Sequence, residues 1–205
     1  MARMTLAAAA SVAALSLAAC QQKDSTPNPN DPGTSNEAVN AAQDATSAAV
    51  GATSAATAGP MSTDAFVTNA AISDMYEIEA GKIAQQKGKA QGVKDFGKMM
   101  VADHTALSSA MKPLIAAAGK TAPPGLDERR KGMIDNLNAA APADFDKVYL
   151  DQQDAAHNEA LTLMQGYAER GDDAGLRDAA SKAVPKIQAH LDHVQQLKAG
   201  GDGAH

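Results

Sequence analysis

Apolar residues recur at steps of three and four from about residue 63 to about residue 198. This spacing is the period of an amphipathic α-helix, and no segment alternates in the manner of a β-strand. Glycine and proline divide the region into separate helices. The sequence predicts four long helices and one short helix, at about 63–88, 93–118, 143–169 and 174–198, and at about 126–138. We therefore expect an all-α fold.

The lengths of the connections predict how these helices are joined. Gly88 and Gly92 leave a short turn between the first two long helices, and Gly171 opens a similar turn before the last one. Each short turn predicts an antiparallel hairpin. The link between the hairpins, at about 119–142, holds the short helix and is long enough to cross the whole bundle. We expect a ferritin-like four-helix bundle with the extra helix in this crossover; a plain up-down-up-down bundle is the alternative.

The first 19 residues have the features of an export signal. Arg3 provides a positive start, and the apolar stretch that follows, residues 5–19, is too short to span a membrane. It ends in Leu-Ala-Ala before Cys20, a pattern that resembles the bacterial lipoprotein signal, in which the cysteine is lipidated. Gln21 comes next, where aspartate is the usual signal for retention at the inner membrane. The expected location is the periplasmic face of the outer membrane, with the lipid on Cys20 as the membrane contact.

Three further segments complete the predicted organisation. Residues 20–61 are expected to be a disordered tether, because prolines interrupt their beginning and the following Ala/Ser/Thr tract has few large apolar side chains to bury. Residues 62–199 are expected to form the bundle domain. Residues 200–205 are expected to be a disordered tail.

Composition and motifs exclude several classes of function. The formal net charge is −6 and no basic stripe is present, which argues against a nucleic-acid partner. Cys20 is the only cysteine, so no disulfide can form within the chain. The sequence has no covalent haem motif, phosphate-binding loop, nucleophilic serine elbow or zincin motif. No protein partner is indicated.

Four motifs occur in order along the helical region. They are Y-E-I-E-A-G-K-I-A at 76–84, F-G-K-M-M-V-A-D-H at 96–104, F-D-K-V-Y at 145–149 followed by His157, and V-P-K-I-Q-A-H-L at 184–191. Together they resemble the bacterial domain-of-unknown-function family 4142, over about residues 63–197. The resemblance implies a ferritin-like helical fold and a location in the cell envelope. It implies no established reaction.

Three histidines interrupt the apolar stripes at core positions: His104, His157 and His190, each in a different long helix. At 1.5 Å per residue they lie about 21, 21 and 26 Å from their nearest turns, so we expect them at one level near the middle of the bundle. The first helix would add a carboxylate. Depth favours Glu77 and the helical wheel favours Glu79, and both remain candidates. Such a cluster can bind zinc, copper, iron or manganese.

Other acidic residues are candidates for the surroundings of this cluster. Asp103 could orient a histidine or cap the site, and Asp154 and Glu159 could contact the ion or its ligands. Ferritin-like di-iron enzymes carry Glu-x-x-His pairs, whereas here Val101 and Ile187 stand three residues before two of the histidines. A di-iron redox enzyme is therefore not expected.

The histidines also have a purely structural interpretation. A buried imidazole can pair with a carboxylate, as His104 with Asp154 or His190 with Glu79. The sequence accordingly favours a non-enzymatic binding or structural module, of unknown specific role in the envelope and with envelope stress as its context. The alternative is a metal-binding bundle that uses the histidine and carboxylate cluster, with a transition-metal ion as its cofactor.

Overall fold

A computed structural model describes residues 37–57 and 62–201, and those two ranges contain six α-helices and no strand. The helices are α1 (Glu37–Thr57), α2 (Thr63–Lys87), α3 (Gln91–Ala117), α4 (Glu128–Ala139), α5 (Phe145–Arg170) and α6 (Ala174–Gly201). The all-α prediction is confirmed. The last helix continues into the predicted tail, while the predicted signal peptide and Cys20 lie outside the described residues. None of the six helices combines the length and apolarity needed to cross a membrane.

Local sequence explains where the helices begin and end. Ser62 caps α2, because its hydroxyl accepts a hydrogen bond from the backbone N–H of Ala65. Beyond the end of α3, Gly119 has a φ of 69°, a left-handed conformation that favours glycine. The N–H of Lys120 then bonds the carbonyl of Ile115 at 3.0 Å, which completes a Schellman motif.

The helices pair as two hairpins, α2 with α3 and α5 with α6. In the first hairpin the backbones approach closely at Gly81 and Gly97. A Cβ atom on Gly81 would lie 2.6 Å from the carbonyl oxygen of Gly97, and one on Gly97 would lie 2.8 Å from that of Gly81. Two facing glycines therefore set the spacing between α2 and α3.

The link between the hairpins crosses the bundle from end to end. After α3, Lys120 bonds Asp64 at the beginning of α2, at 2.7 Å. At the start of α5, Asp146 accepts hydrogen bonds from the backbone N–H groups of Lys89 and Ala90, just after the end of α2. The chain thus travels the length of α2 between these points, with α4 on the way. This is the ferritin-like connection with one crossover, so the up-down-up-down alternative is wrong.

The helix α1 is the main departure from expectation. The sequence predicts a disordered tether over 20–61, but Glu37–Thr57 is helical and packs against α4 and α5. Its contacts are largely polar: the Asp44 carboxylate accepts hydrogen bonds from Asn136 at 2.8 Å and from Gln152 at 2.6 Å. The apolar pattern of the sequence did not predict this packing, because α1 has few large apolar side chains.

Two apolar clusters fill the bundle on either side of its middle. One includes Phe96 and Tyr149, near the α2–α3 turn, and the other includes Phe66 and Tyr167, near the opposite end. A layer of buried polar side chains lies between them.

Candidate metal centre

His104, His157 and His190 come from α3, α5 and α6 and meet in this polar layer. Their residues are only 2%, 1% and 2% exposed. The three ring centroids are 5.5, 5.6 and 5.9 Å apart, and one nitrogen of each ring lies within 4.8 Å of the others. The structure thus brings together the three histidines that the sequence places at a common depth.

One nitrogen of each ring donates a hydrogen bond, to a carboxylate on a neighbouring helix for His104 and His190 and to a backbone carbonyl of its own helix for His157. The three bonds are His104 Nδ1 to Asp74 Oδ1 at 2.8 Å, His157 Nδ1 to the Gln153 carbonyl at 2.8 Å, and His190 Nε2 to Asp103 Oδ2 at 2.9 Å. Ionised carboxylates and carbonyls only accept hydrogen bonds, so we assign the ring proton to these nitrogens. When a ring is neutral, its other nitrogen carries a lone pair.

These remaining nitrogens are Nε2 of His104, Nε2 of His157 and Nδ1 of His190. All three are buried, and none has a hydrogen-bond partner among the described residues. A buried acceptor without a partner costs about 1–3 kcal/mol. Three such nitrogens, one on each of three adjoining rings, are available to bind a shared metal ion.

Burial disfavours the charged form of two of the rings. Burial lowers the pKa of His157, and it lowers the pKa of His190 to about 4. Burial also opposes the charging of His104, but the hydrogen bond to Asp74 and the nearby negative charges, first that of Glu77, raise the pKa of this imidazole overall. Neutral imidazole is the form that binds metal ions.

Asp103 has the orienting role that the sequence suggests for it. Its carboxylate accepts the His190 hydrogen bond and also pairs with Lys186 at 2.9 Å. Burial opposes ionisation of Asp103, but the hydrogen bonds from Lys186 and His190 outweigh this effect and lower the pKa of the carboxyl. The carboxylate is therefore held in its ionised form, which can only accept from the ring.

Sequence reasoning missed Asp74, the corresponding partner of His104. Its second oxygen accepts a hydrogen bond from the Ser108 hydroxyl at 2.9 Å, so the carboxylate is held from two sides. The signal was nevertheless present in the spacing of α2. Its buried face follows three- and four-residue steps through small as well as large side chains: Phe66, Ala70, Asp74, Glu77, Ala80 and Ala84.

The structure decides between the two glutamates of α2. Glu77 is 1% exposed, its Oε1 lies 3.9 Å from His157 Nδ1, and its Oε2 has no hydrogen-bond partner in the part of the chain that the structure describes. Glu79 is exposed, so its assignment as the inward carboxylate is wrong. The helical wheel was misleading because Met75 and Ile83, two of the apolar residues that flank Glu79, are only partly buried, whereas Ala80, Gly81 and Ala84 are buried.

Asp154 and Glu159 do not join the cluster, contrary to expectation. Asp154 pairs with Lys198 at 2.9 Å, and Glu159 pairs with Arg129 at 2.8 Å. The expected histidine partners are therefore corrected as well: Asp74 and Asp103 take the positions predicted for Asp154 and Glu79. On α5, Glu159 lies about 200° around the helix from His157, which directs it towards α4 instead.

The family model described as Domain of unknown function (DUF4142) matches residues 45–197. The chain belongs to this family. The match in this DUF4142 protein begins within α1 and ends near the end of α6, so it includes both hairpins, the crossover and all three histidines. No curated protein and no solved structure matches the chain.

Proposed function

We propose that this DUF4142 domain binds one divalent transition-metal ion through His104, His157 and His190. The observation that carries the proposal is the convergence of three buried imidazoles: one nitrogen of each ring lies within 4.8 Å of the others, and each ring has a buried nitrogen without a partner among the described residues. Zinc–nitrogen bonds are about 2.0–2.1 Å long, so the rings would move slightly inward on binding. Imidazole donors suit zinc, copper, iron and nickel better than calcium or magnesium.

The outer hydrogen bonds support the same function. Histidines that bind a metal almost always donate their other ring N–H to a carboxylate or a carbonyl, which fixes the ring and the tautomer. All three rings here have such an acceptor. Glu77 lies beside the group, and its negative charge in a buried environment would favour a cation there. Three protein ligands leave a further coordination position open.

A purely structural polar layer is the competing function. It accounts for the outer hydrogen bonds of the three rings but assigns no role to the second nitrogen of each ring, which has no partner among the described residues. If the layer were only structural, replacing His157 by leucine would leave stability equal or increase it, because a well-packed apolar side chain often replaces a buried polar group without loss.

Metal analysis of the full chain purified without chelator tests the proposal directly. We expect one equivalent of metal, and we expect chelator-treated protein to regain stability on titration with Zn²⁺, Cu²⁺, Mn²⁺ or Fe²⁺. Free ion at 100 times its Kd adds about 2.7 kcal/mol to the free energy of unfolding. The proposal would be contradicted by a protein that is purified without metal and whose Tm does not change when any of the four ions is added.

Glutamine variants identify the ligands. We expect His157→Gln to weaken zinc binding at least about 100-fold, since loss of an orienting partner alone typically costs 10–100-fold. The matched control is His193→Gln: His193 is only partly buried and packs edge-on against Phe96, with ring centroids 5.3 Å apart. Equal losses in both variants would contradict the assignment.

We also propose that a lipid on Cys20 holds the protein at the periplasmic face of the outer membrane. The support is the run Leu-Ala-Ala-Cys that ends at Cys20, together with Gln21. Cell fractionation tests this: Cys20→Ala should move the protein from the membrane fraction to the soluble fraction, whereas Ser25→Ala should leave it in the membrane. Wild-type protein in the soluble fraction would contradict the anchor.

A further inference from the structure

A cavity of about 380 Å³ lies between α3 and α6, directly beside the candidate metal centre. Its lining includes His104 and Asp74, which are buried, and Lys182 and Lys186, which are exposed. His104 therefore belongs both to the histidine cluster and to the cavity wall. The volume falls in the range of about 300–1,000 Å³ that is typical of small-molecule sites.

The lining of the cavity is mainly apolar. It includes Leu107, Met111 and Leu114 on α3, and on α5 and α6 the small residues Ala160, Ala179 and Ala183 as well as Met164 and Ile187. The three large α3 side chains are only partly buried. Apolar surface left open in this way forgoes about 25 cal/mol per Å² of burial, which an apolar ligand would restore.

We propose that this cavity binds a medium-chain alkyl carboxylate, with its chain between the helices and its carboxylate on the open coordination position of the metal ion. This inference rests on the proposed metal binding and names the ligand class of the same site. A carboxylate oxygen is an accepted ligand of zinc. The α3 segment from His104 to Leu114 spans about 15 Å along the helix axis, which accommodates an extended chain such as that of decanoate.

Calorimetric titration with decanoate tests the inference. The protein is the full chain with Cys20→Ser, in detergent-free buffer, so that no attached acyl chain competes for the cavity. We expect one decanoate per chain and an affinity at least about tenfold higher for zinc-loaded than for chelator-treated protein. No saturable binding to the zinc-loaded protein would overturn the inference. Equal affinities with and without zinc would overturn the contact between carboxylate and metal.

The two proposals fail in different ways. Metal analysis of the same preparation reports on the histidine centre alone, so absence of zinc binding is a failure of the proposed function. A chain that binds one zinc ion but no decanoate leaves the proposed function intact and overturns only the ligand assignment.

Two cavity-filling variants locate the binding site. We expect Ala183→Leu to weaken decanoate binding at least about tenfold while zinc affinity stays within about twofold of wild type. Ala179→Leu fills the same cavity from a less buried position, and we expect it also to weaken decanoate binding without changing zinc affinity. This second variant keeps the test decisive if Ala183→Leu folds poorly. The matched control is Ala189→Leu on the exposed face of α6. Wild-type decanoate affinity in both cavity variants would overturn the location.

Paramagnetic broadening gives the orientation of the ligand. With Co²⁺ in place of Zn²⁺, the decanoate methylene protons next to the carboxylate should broaden most and the terminal methyl protons least. The opposite order would overturn the proposed orientation.

Discussion

His104 and Asp74 form a hydrogen bond of 2.8 Å that joins α3 to α2 in the middle of the bundle. The bond keeps the ring proton on Nδ1 and leaves the Nε2 lone pair free to bind a metal ion. Asp74 is held in turn by Ser108. The donor geometry of the centre therefore depends on a residue that does not itself supply a ligand atom.

We expect Asp74→Asn to weaken zinc binding by about 10–100-fold. The asparagine amide can donate to Nδ1, which moves the ring proton of His104 to Nε2 and blocks the metal. Asp178→Asn is the control, because Asp178 is exposed and its ion pair among the described residues is with exposed Lys182, at 2.6 Å. Competition against a chromophoric chelator measures both affinities, and unchanged binding in Asp74→Asn would contradict this role.

The two glutamates of α2 provide a matched pair of variants. We expect Glu77→Gln to lower zinc affinity at least about tenfold, because it removes a buried negative charge beside His157. Glu79→Gln should leave the affinity unchanged, since Glu79 is exposed. Isothermal titration of both variants under one buffer condition makes the comparison, and equal affinities would exclude an electrostatic role for Glu77.

The close contact of α2 and α3 predicts a large difference between two glycine substitutions. Gly81→Ala should lower the free energy of unfolding by about 1–3 kcal/mol, because the new methyl group would overlap the carbonyl of Gly97. Gly166→Ala on α5 should be neutral or stabilising by about 0.5–1 kcal/mol, because its methyl group would meet only the flexible end of Arg170. Urea unfolding distinguishes the two, and similar losses would refute the tight contact.

Asp44 predicts a pH dependence for the docking of α1. Burial raises the pKa of this carboxyl to about 6, against the hydrogen bonds from Gln152 and Asn136. The unfolded chain has an ordinary aspartate pKa of about 3.9, so between these values the folded state binds the additional proton and stability falls as pH rises. The loss is at most about 3 kcal/mol.

The measurement compares wild type with Asp44→Asn, both free of metal, at pH 4 and pH 7. The variant has no carboxyl to titrate at this position, so wild type should lose more free energy of unfolding than the variant between the two pH values. Amide hydrogen exchange should show that the loss is concentrated in α1. An equal change in the free energy of unfolding for the two proteins between pH 4 and pH 7 would contradict the burial of Asp44.

The long helices and the depth of the histidines could be predicted because both depend on local information. A 3.6-residue period identifies the buried face, and counting from glycine turns gives the height of a residue in the bundle. The same spacing places Asp74 on the buried face of α2, but its pairing with His104 could not be predicted, because that partner lies on another helix and depends on how α2 and α3 are aligned. Glu77 was not separated from Glu79 because alanine and glycine mark a contact face only weakly.

By itself the sequence determined the helical architecture and the family, because these follow from periodicity, turn residues and motifs within short stretches of chain; it favoured a crossover between the hairpins, which the contacts of Lys120 and Asp146 then confirmed. Only the tertiary structure decided which nitrogen of each ring is free, which glutamate lies inside, that α1 packs on α4 and α5, and that a cavity adjoins His104. The physical reason is that hydrogen-bond partners and voids arise between helices, where the size of a side chain matters as much as its polarity.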